Sequence, residues 1–585
     1  MTLPDPLNFK AHFIELFRTA LQSLDVPTEP PNIELTRTKQ SSHGDYSCNL
    51  AMHLAKPLRK KPQEIAQLLI ERLPASAIIE KVEIAGAGFI NLFIKNAAKQ
   101  QYLHHILQSK THYGASHLGQ GRKIQVEFVS ANPTGPLHVG HGRGAAIGAS
   151  LANLLATAGF DVFREFYVND AGRQMDILTV STWLRYLAIH QASIPFPQNA
   201  YQGDYVKTMA QQLQEQFAQR FVRQRERIFE NFPLSALEIT ITTDAELDQL
   251  IANAKRILNQ DYTLIHQFVL AEQLNDCRSD LLEFGIEFDQ WFSEQSLYDS
   301  GLVSRTVNLL EEKNYLYLKD GAKWFRSTNF GDEKDRVVQR ENGQFTYFAS
   351  DIAYHLSKFE RGFDLVINIW GADHHGYIAR VKGALQALGV DPGKLEIALV
   401  QFAVLYRDGK KMPMSTRSGE FVTLRELRHE VGNDAARFFY AMRKSDQHLD
   451  FDLDLAKSQG NENPVYYVQY AHARICSVLA QWNGDLAMLS DTDTHTLSGP
   501  AELSLLQKLI DFPGTIETAA REFSPHLITF YLRELASEFH GYYNSTRFLV
   551  DDKPLMYARL ALIASVRQVL HNGLKLLGVS SPDKM

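Results

Sequence analysis

The stretch Val129-Ser130-Ala131-Asn132-Pro133-Thr134-Gly135-Pro136-Leu137-His138-Val139-Gly140-His141-Gly142-Arg143-Gly144 decides the fold of this chain. It follows an apolar run, 124–129, that predicts a buried strand, and it precedes a run of small residues, 145–156, that predicts a helix. In α/β sheets, nucleotides bind where such a strand turns into a helix, because the helix start is positively polarised. The sequence therefore predicts an α/β fold with a nucleotide site at this turn.

The two histidines of the turn, His138 and His141, lie about one helical turn apart, so both imidazoles can face one phosphate group. Gly140 and Gly142 carry no side chain, which lets an adenine ring or a ribose approach the backbone. A His-x-x-His pair alone is common, and helical histidines are more often solvated or capping residues than ligands. The long context from Asn132 onward resembles the HIGH signature of class I aminoacyl-tRNA synthetases, and this favours the nucleotide site.

The composition is that of an ordinary globular protein, with 45% apolar and 22% charged residues and a net charge of −7 over 585 residues. That length allows about three to five domains. The three cysteines, Cys48, Cys277 and Cys476, are far apart, which excludes a CxxC knuckle and favours a reducing compartment. Residues 1–10 do not read as a leader and no apolar run reaches membrane-spanning length, so we expect a cytoplasmic protein.

Sequence patterns divide the chain into three regions. Residues 1–107 mix helix and strand signals and predict a small α/β domain, followed by a glycine-containing linker at 108–122. Residues 118–425 predict a long α/β domain with a helix-rich insertion at about 193–294. After about residue 426 we expect helices and no further strand, with a helical domain at 455–585.

A second segment, 413–417, lies where cations that neutralise the phosphates of a bound nucleotide are expected. Class I synthetases use a mobile loop, KMSKS, whose lysines neutralise the β- and γ-phosphates of ATP. The best match here reads Pro-Met-Ser-Thr-Arg, so Thr416 stands where the second lysine is expected. A threonine supplies no cation, and our candidates for the role are Lys411 and Arg417. The alternative, that Lys410 and Lys411 are simply exposed loop charges, stays open.

The class signature leaves the amino acid open, but two carboxylates suit a guanidinium group, which pairs bidentately with a carboxylate. Glu127 lies on the strand that leads into the turn. Asp351 lies in 346–355, which predicts a strand-to-helix junction, and Tyr347 shares its face if that segment is helical. Glu127 has the alternative role of a structural ion-pair partner, and Asp351 that of a helix N-cap.

Further stretches narrow the resemblance to arginyl-tRNA synthetases: 347–355 (YFASDIAYH), 370–377 (WGADHHGY) and 463–475 (NPVYYVQYAHARI). The segments 43–47 and 88–91 resemble the family's extra N-terminal domain, which contacts the tRNA elbow. The resemblance covers essentially the whole chain. It implies a Rossmann-like class I catalytic domain between a small α/β domain and an all-α anticodon-binding domain.

Carried over residue by residue, the resemblance implies three groups of functional residues. The arginine pocket would comprise Glu127, Asn132, His138, Tyr347 and Asp351. The ATP site would comprise His138, Gly140, His141, Gly371, Asp373, His374, Met414 and Ser415, and the catalytic groups would be His138, His141, Lys411 and Arg417. The tRNA contacts would include Tyr46, Asn91, Tyr467, Tyr470, Arg474, Tyr543 and Arg547. Taken singly, the tyrosines of the helical region are more typical of a helix-bundle core.

The function implied is the attachment of L-arginine to tRNA(Arg) in two steps, formation of arginyl-adenylate from ATP with Mg²⁺ and transfer to the tRNA 3′ end. We expect no protein-bound structural metal and no membrane partner, and a monomer is the family's usual condition. Three alternatives stay open. They are a class I synthetase for another amino acid such as cysteine, which would need zinc; a nucleotidylyltransferase; and an inactive tRNA-binding paralogue, which the missing lysine favours.

Overall fold

The computed structural model describes residues 8–24, 32–38, 41–191, 194–232, 241–412 and 422–585. The N-terminal region comprises α1 (Phe9–Gln22), β1 (Leu35–Arg37), β2 (Tyr46–Cys48), α2 (Leu50–Leu58), α3 (Pro62–Glu71), β3 (Ile79–Ala85), β4 (Phe89–Ile94) and α4 (Asn96–Ser109). Its strands form an antiparallel sheet in the order β1-β2-β4-β3. Phe13 of α1 packs on Tyr46 of β2, with ring centroids 5.7 Å apart, so helix and sheet share one core.

The central region contains the parallel sheet that the sequence predicted. Its elements are β5 (Lys123–Glu127), α5 (Val139–Thr157), β6 (Asp161–Val168), α6 (Arg173–His190), α7 (Asp204–Phe217), α8 (Arg225–Ile228), α9 (Asp244–Leu258), α10 (Gln260–Glu283), β7 (Gln290–Ser293), α11 (Gln295–Asp299), α12 (Leu302–Glu312), β8 (Leu316–Lys319), β9 (Ala322–Phe325), β10 (Arg336–Gln339), α13 (Tyr347–Glu360), β11 (Leu365–Gly371), α14 (Ile378–Leu388) and β12 (Leu395–Val400). The parallel sheet has the order β12-β11-β5-β6-β7, and β8 to β10 form a separate antiparallel sheet. Strand order reverses beside β5, so a crevice opens at the carboxyl ends of β5 and β11.

The last region begins with a short sheet and continues as a helical bundle. Its elements are β13 (Ala403–Arg407), β14 (Lys410–Lys411), α15 (Leu424–Val431), α16 (Asn433–Ala441), β15 (Leu449–Asp452), α17 (Leu453–Lys457), α18 (Pro464–Trp482), α19 (Pro500–Arg521), α20 (His526–Ser545) and α21 (Lys553–Leu576). The three strands pair in the order β14-β13-β15. None of the helices in the described part of the chain combines the length and apolarity needed to cross a bilayer.

The fold class is confirmed, and three details of the sequence prediction are wrong. The region after residue 426 contains a strand, β15, which the alternation rule missed because it is only four residues long and pairs with a distant partner, β13. The predicted insertion 193–294 includes β7, which belongs to the parallel sheet. The predicted linker 108–122 is packed: the buried Tyr113 donates a hydrogen bond from its hydroxyl to the Leu509 carbonyl at 2.7 Å.

Candidate active site

The turn between β5 and α5 leaves the sheet through an unusual backbone. Val129 and Ser130 have φ of 67° and 42°, which side-chain-bearing residues adopt only when their surroundings enforce it. The Ser130 hydroxyl donates to Glu127 Oε1 at 2.9 Å and accepts the Tyr167 N–H at 3.1 Å, so the neighbouring strand β6 holds the turn. The chain is thereby directed into the crevice at the strand ends.

The histidine pair stands at the start of α5, with His138 as the N-cap residue. The two rings stack with centroids 3.7 Å apart. His138 Nδ1 accepts the Gly140 N–H at 3.1 Å, and His141 Nδ1 accepts the His138 N–H at 3.3 Å. Burial lowers the pKa of both imidazoles, that of His141 to about 3. Both rings are therefore neutral at physiological pH and carry their proton on Nε2, so they serve as hydrogen-bond donors and not as cations.

Two glycines, one at the start of α5 and one at the end of β11, lie close to neighbouring side chains. A Cβ atom at Gly140 would lie 2.8 Å from the His138 ring and 3.0 Å from Phe402. A Cβ atom at Gly371, the last residue of β11, would lie 2.4 Å from Asp373 Oδ1. Asp373 and His374 follow this strand end and are exposed, so the predicted adenosine-binding residues lie at the carboxyl edge of the sheet.

The predicted lysine loop is only partly described. Met414, Ser415 and Arg417 lie outside the described residues, as does Thr416. Lys411 belongs to β14, is exposed, and makes no ion pair with any described residue. The chain returns beside the histidines, since the Val139 N–H donates to the Val422 carbonyl at 3.2 Å and the Leu424 N–H to the Leu137 carbonyl at 2.8 Å. The fold therefore attaches the end of this loop directly to the turn.

The first predicted guanidinium ligand, Asp351, lies inside a helix. It is the fifth residue of α13, so the predicted strand-to-helix junction is wrong, and the prediction that it shares a helix face with Tyr347 is met. Asp351 Oδ2 accepts a short hydrogen bond from the hydroxyl of Tyr377. Burial raises the pKa of Asp351 to about 7. Tyr347 is 55% exposed, as expected of a residue at the rim of an open pocket.

The second predicted guanidinium ligand, Glu127, is already paired. Its Oε2 lies 2.5 Å from Nζ of Lys358, whose side chain is fully buried. Lys358 also donates to Asn368 Oδ1 at 2.8 Å, and Asn368 Nδ2 contacts His355 Nε2 at 2.7 Å. With Ser130 on the other oxygen, Glu127 has the surroundings of a structural ion-pair partner, which was the alternative left open by the sequence.

Sequence reasoning missed a third carboxylate, Glu294, which directly follows β7 and is only 2% exposed. Its Oε1 accepts a hydrogen bond from the Ser350 hydroxyl at 3.0 Å, beside Asp351. Its Oε2 and the Tyr167 hydroxyl form no hydrogen bond of standard geometry with described residues. The two groups are nevertheless close enough for the Tyr167 hydroxyl to lower the pKa of Glu294 in part. Burial raises the pKa of Glu294. No sequence signal marked this residue, because the short strand before it lay inside the predicted insertion.

The helical insertion closes one side of the turn. The Tyr205 hydroxyl of α7 donates to the Thr134 carbonyl at 2.7 Å. On the open side, Asn132 is exposed and its Oδ1 accepts a hydrogen bond from Asn169 Nδ2 at 3.1 Å. Asn132 is therefore accessible from solvent beside the turn, and its contact with the main-chain groups of arginine stays a prediction.

The N-terminal residues predicted to touch tRNA are not on the surface. Tyr46 is 8% exposed, and its ring packs between Phe13 and the guanidinium of Arg37, 4.2 Å from the ring centroid. Asn91 is 5% exposed and lies in the sheet opposite Ser47. Both belong to the domain core, so the structure speaks against direct RNA contacts from these two side chains. A short motif does not show which side of a strand faces inward.

Most of the predicted tRNA-binding residues of the helical region come together on one face. The Arg474 guanidinium lies 4.4 Å from the ring centroid of Tyr470 and 4.7 Å from that of Tyr543. The Tyr467 ring lies 4.5 Å from His540, which is also near Arg474. These rings are partly exposed, whereas Arg547 is exposed and stands apart at the end of α20. The cluster combines stacking surfaces with a cation, as single-stranded bases require.

Comparison with known proteins places these features in one family. The description "tRNA synthetases class I (R), catalytic domain" matches residues 102–446, "DALR anticodon binding domain" matches 468–585, and "Arginyl tRNA synthetase N terminal domain" matches 11–94. The arginine–tRNA ligase of Nitrosospira multiformis is 68% identical, and that of Nitrosomonas europaea is 64% identical, each over 585 residues that cover 100% of this chain and 99–100% of the relative. The Thermus thermophilus arginyl-tRNA synthetase structure has the same fold, with a TM-score of 0.75, 24% identity and coverage of 98% of this chain and 100% of its own.

Proposed function

The chain belongs to the arginyl-tRNA synthetase family, and on that premise we propose that it joins L-arginine to tRNA(Arg) with ATP as the energy source. The observation that carries the proposal is a pair of carboxylates, the partly exposed Asp351 and the buried Glu294, in the crevice beside the nucleotide turn. Neither carboxylate makes an ion pair with a described residue. A cationic side chain of the substrate supplies the missing charge.

The pocket distinguishes the two ends of arginine. The guanidinium is a planar fork of donors, and two carboxylates with free acceptor capacity satisfy more of that fork than one does. Glu127 remains with Lys358 and shapes the floor of the pocket. Asn132 at the mouth and His138 at the helix start then face the main-chain groups of the amino acid, which places its carboxylate toward the nucleotide.

In the first step an oxygen of the arginine carboxylate attacks the α-phosphorus of MgATP, and the bond to the pyrophosphate oxygen breaks. Mg²⁺ enters with its nucleotide, because this ion is bound mainly through substrate phosphates. The Nε2–H groups of His138 and His141, which stand at the positively polarised start of α5, donate to the phosphate oxygens as charge develops. Lys411 and Arg417 remain our candidates for neutralising the leaving pyrophosphate.

In the second step the 2′-hydroxyl of the terminal adenosine attacks the arginyl carbonyl carbon and releases its proton to solvent, and AMP leaves with the electron pair of the mixed anhydride bond. The tRNA is selected at a distance, and the face of Tyr470, Arg474 and Tyr543 is suited to splayed anticodon bases. The cytoplasmic location and the monomeric state stay predictions.

The decisive experiment is ATP–pyrophosphate exchange with a panel of amino acids, with and without tRNA(Arg). We expect exchange with arginine and with no other amino acid of the panel. In His141→Ala the exchange rate should fall by several orders of magnitude while tRNA binding persists. Removing one preorganised donor to a reacting oxyanion typically costs about a hundred- to a thousandfold. Exchange supported by another amino acid, or none with arginine and tRNA(Arg) present, would reject the proposal. Normal activity of His141→Ala would reject only the role of that histidine.

A further inference from the structure

A second group of chemically active side chains lies far from the crevice, where the C-terminal tail docks on α18. His472 and Cys476 are four residues apart and so share one face of this helix. Asp583 of the tail lies against them, with Oδ1 3.2 Å from Cys476 Sγ. The sequence did not reveal this group, because its single cysteine belongs to no paired-cysteine motif and Asp583 lies 107 residues away.

The spacing of the donor atoms matches that of ligands around a tetrahedral metal ion. Zinc–sulfur and zinc–nitrogen bonds of about 2.3 and 2.05 Å put sulfur and nitrogen about 3.6 Å apart at the tetrahedral angle. Cys476 Sγ and His472 Nδ1 are 3.6 Å apart. Donor atoms of all three residues lie within 4.8 Å of one another. The imidazole and the thiol are therefore held at ligand distance without any backbone movement.

The surroundings of the group provide access and a balancing charge. His472 is buried, Cys476 is partly exposed and Asp583 is exposed, so an ion can enter from solvent on the carboxylate side. Arg567 and Asp583 both lie close enough to Cys476 to affect the pKa of its thiol. A cation there repels a bare metal ion but stabilises a thiolate. The negative charges of one carboxylate and one thiolate cancel the two positive charges of the ion, so the occupied site has no net charge of its own.

We propose that His472, Cys476 and Asp583 bind a thiophilic divalent cation of the Zn²⁺ type. On binding, the Cys476 thiol loses its proton to solvent, and the metal–sulfur bond replaces the hydrogen bond to Asp583. His472 Nδ1 now lies 3.0 Å from the Pro582 carbonyl, so its proton moves to Nε2 when the nitrogen becomes a ligand. One proton is released per ion, and water fills the fourth position.

The ion would fasten a tail that joins two regions of the protein. Ser580 of the tail donates its N–H to Asp434 of α16 at 2.9 Å, and Arg437 of α16 donates to the Leu577 carbonyl at 2.7 Å. α16 also packs on α5, the helix that begins at the histidine pair. A metal at the tail therefore stabilises the docking of the helical bundle against the sheet domain, at a distance from the reacting groups.

The test uses the untagged full chain after chelator treatment, titrated with Co²⁺ as a spectroscopic substitute. We expect one ion per chain and a near-ultraviolet thiolate-to-cobalt charge-transfer band that excess Zn²⁺ abolishes. Cys476→Ser should lose the band, whereas Cys48→Ala and Cys277→Ala, which change the other two cysteines, should keep it. Asp583→Asn should weaken cobalt affinity about tenfold or more. A missing band in the wild type, or a band that survives in Cys476→Ser, overturns the proposal.

A second measurement needs no variant and therefore does not depend on the folding of one. Alkylation of Cys476 by iodoacetamide, followed by mass spectrometry, should slow at least about tenfold when one equivalent of Zn²⁺ is added, because a bound thiolate is shielded from the reagent. As a third measurement, the melting temperature should rise with Zn²⁺ in the wild type and rise less in Asp583→Asn at the same zinc concentration, because the variant binds the ion more weakly. Equal alkylation rates with and without zinc would show that the three groups are only a hydrogen-bonded anchor of the tail, and the site would be rejected.

Discussion

Glu127 and the pair Asp351/Glu294 are carboxylates of the same crevice that the fold treats in opposite ways. The charge of Glu127 is neutralised by another side chain of the protein, Lys358, which is fully buried. Asp351 has a tyrosine hydroxyl and Glu294 a serine hydroxyl as partners, and neither has a cation among the described residues. Burying an unpaired charge is expensive, so the buried Glu294 is stable only when it is protonated or when a ligand supplies a cation. The raised pKa of the partly exposed Asp351 favours the same two states. The difference indicates that Asp351 and Glu294, and not Glu127, are available to bind a cationic substrate.

The largest expected effect comes from breaking the internal pair. Lys358→Met leaves Glu127 as an uncompensated buried charge, which should lower the free energy of unfolding by about 3–5 kcal/mol. Urea denaturation followed by circular dichroism measures the loss. The double variant with Glu127→Gln should recover much of it, because the orphaned charge is removed as well. If Lys358→Met is as stable as the wild type, the ion pair with Lys358 does not compensate the buried charge of Glu127.

The next effect concerns the substrate side of the comparison. Asp351→Asn should lower kcat/KM for arginine about 100- to 1000-fold and leave KM for ATP unchanged, because the guanidinium loses a charged acceptor. Steady-state pyrophosphate exchange at varied arginine and varied ATP separates the two constants. Asp373→Asn is the matched control, and it should affect ATP in preference to arginine. An unchanged KM for arginine in Asp351→Asn contradicts the assignment.

A smaller effect is expected at the carboxylate that the sequence did not reveal. Glu294→Gln keeps an oxygen for the Ser350 hydroxyl and removes only the charge, so kcat/KM for arginine should fall about 10- to 30-fold. Stability should not fall, since burial already raises the pKa of this carboxyl. The same exchange assay with thermal unfolding checks both parts. Full activity of Glu294→Gln would mean that Asp351 alone recognises the guanidinium.

The smallest effect is a pH dependence of arginine binding. The pKa of Asp351 is raised from 3.8 to about 7, chiefly by burial, with Glu294 and Glu127 adding to the shift and Tyr377 and Lys358 opposing it. The ionised form binds the guanidinium, so KM for arginine should fall up to about tenfold from pH 6 to pH 8. The stability of the ligand-free protein depends on pH in the opposite direction, because the protonated carboxyl is the form that the fold favours. A raised native pKa stabilises the fold fully below pH 3.8, and this contribution is lost as pH rises through about 7.

Asp351→Asn checks this dependence, because it should flatten both profiles. KM for arginine is measured by initial rates at constant ionic strength, and stability by urea denaturation at each pH. A profile that keeps its slope in the variant would assign the titration to another group of the pocket.

Features carried by neighbouring residues could be predicted from the sequence. The strand, turn and helix around His138 follow from the local pattern of apolar, glycine and small residues. The segment 346–355 was predicted only as a strand-to-helix junction, whereas the structure makes 347–360 one helix. Strand β15 and the burial of Tyr46 escaped prediction. Each depends on a contact outside its own segment, with β13 in one case and with Phe13 of α1 in the other.

By itself, the sequence determined the class of the protein, the amino acid implied by its motifs, and the position of the histidine turn. Only the tertiary structure decided which groups are available for chemistry. Lys358 forms an ion pair with Glu127, from which it is separated by 231 positions in the sequence. The hydroxyls of Ser350 and Tyr377 donate hydrogen bonds to Glu294 and Asp351, which are 56 and 26 positions away. The physical reason is that turns and helices depend on local torsions and periodicity, whereas burial and charge pairing depend on residues that only the fold brings together.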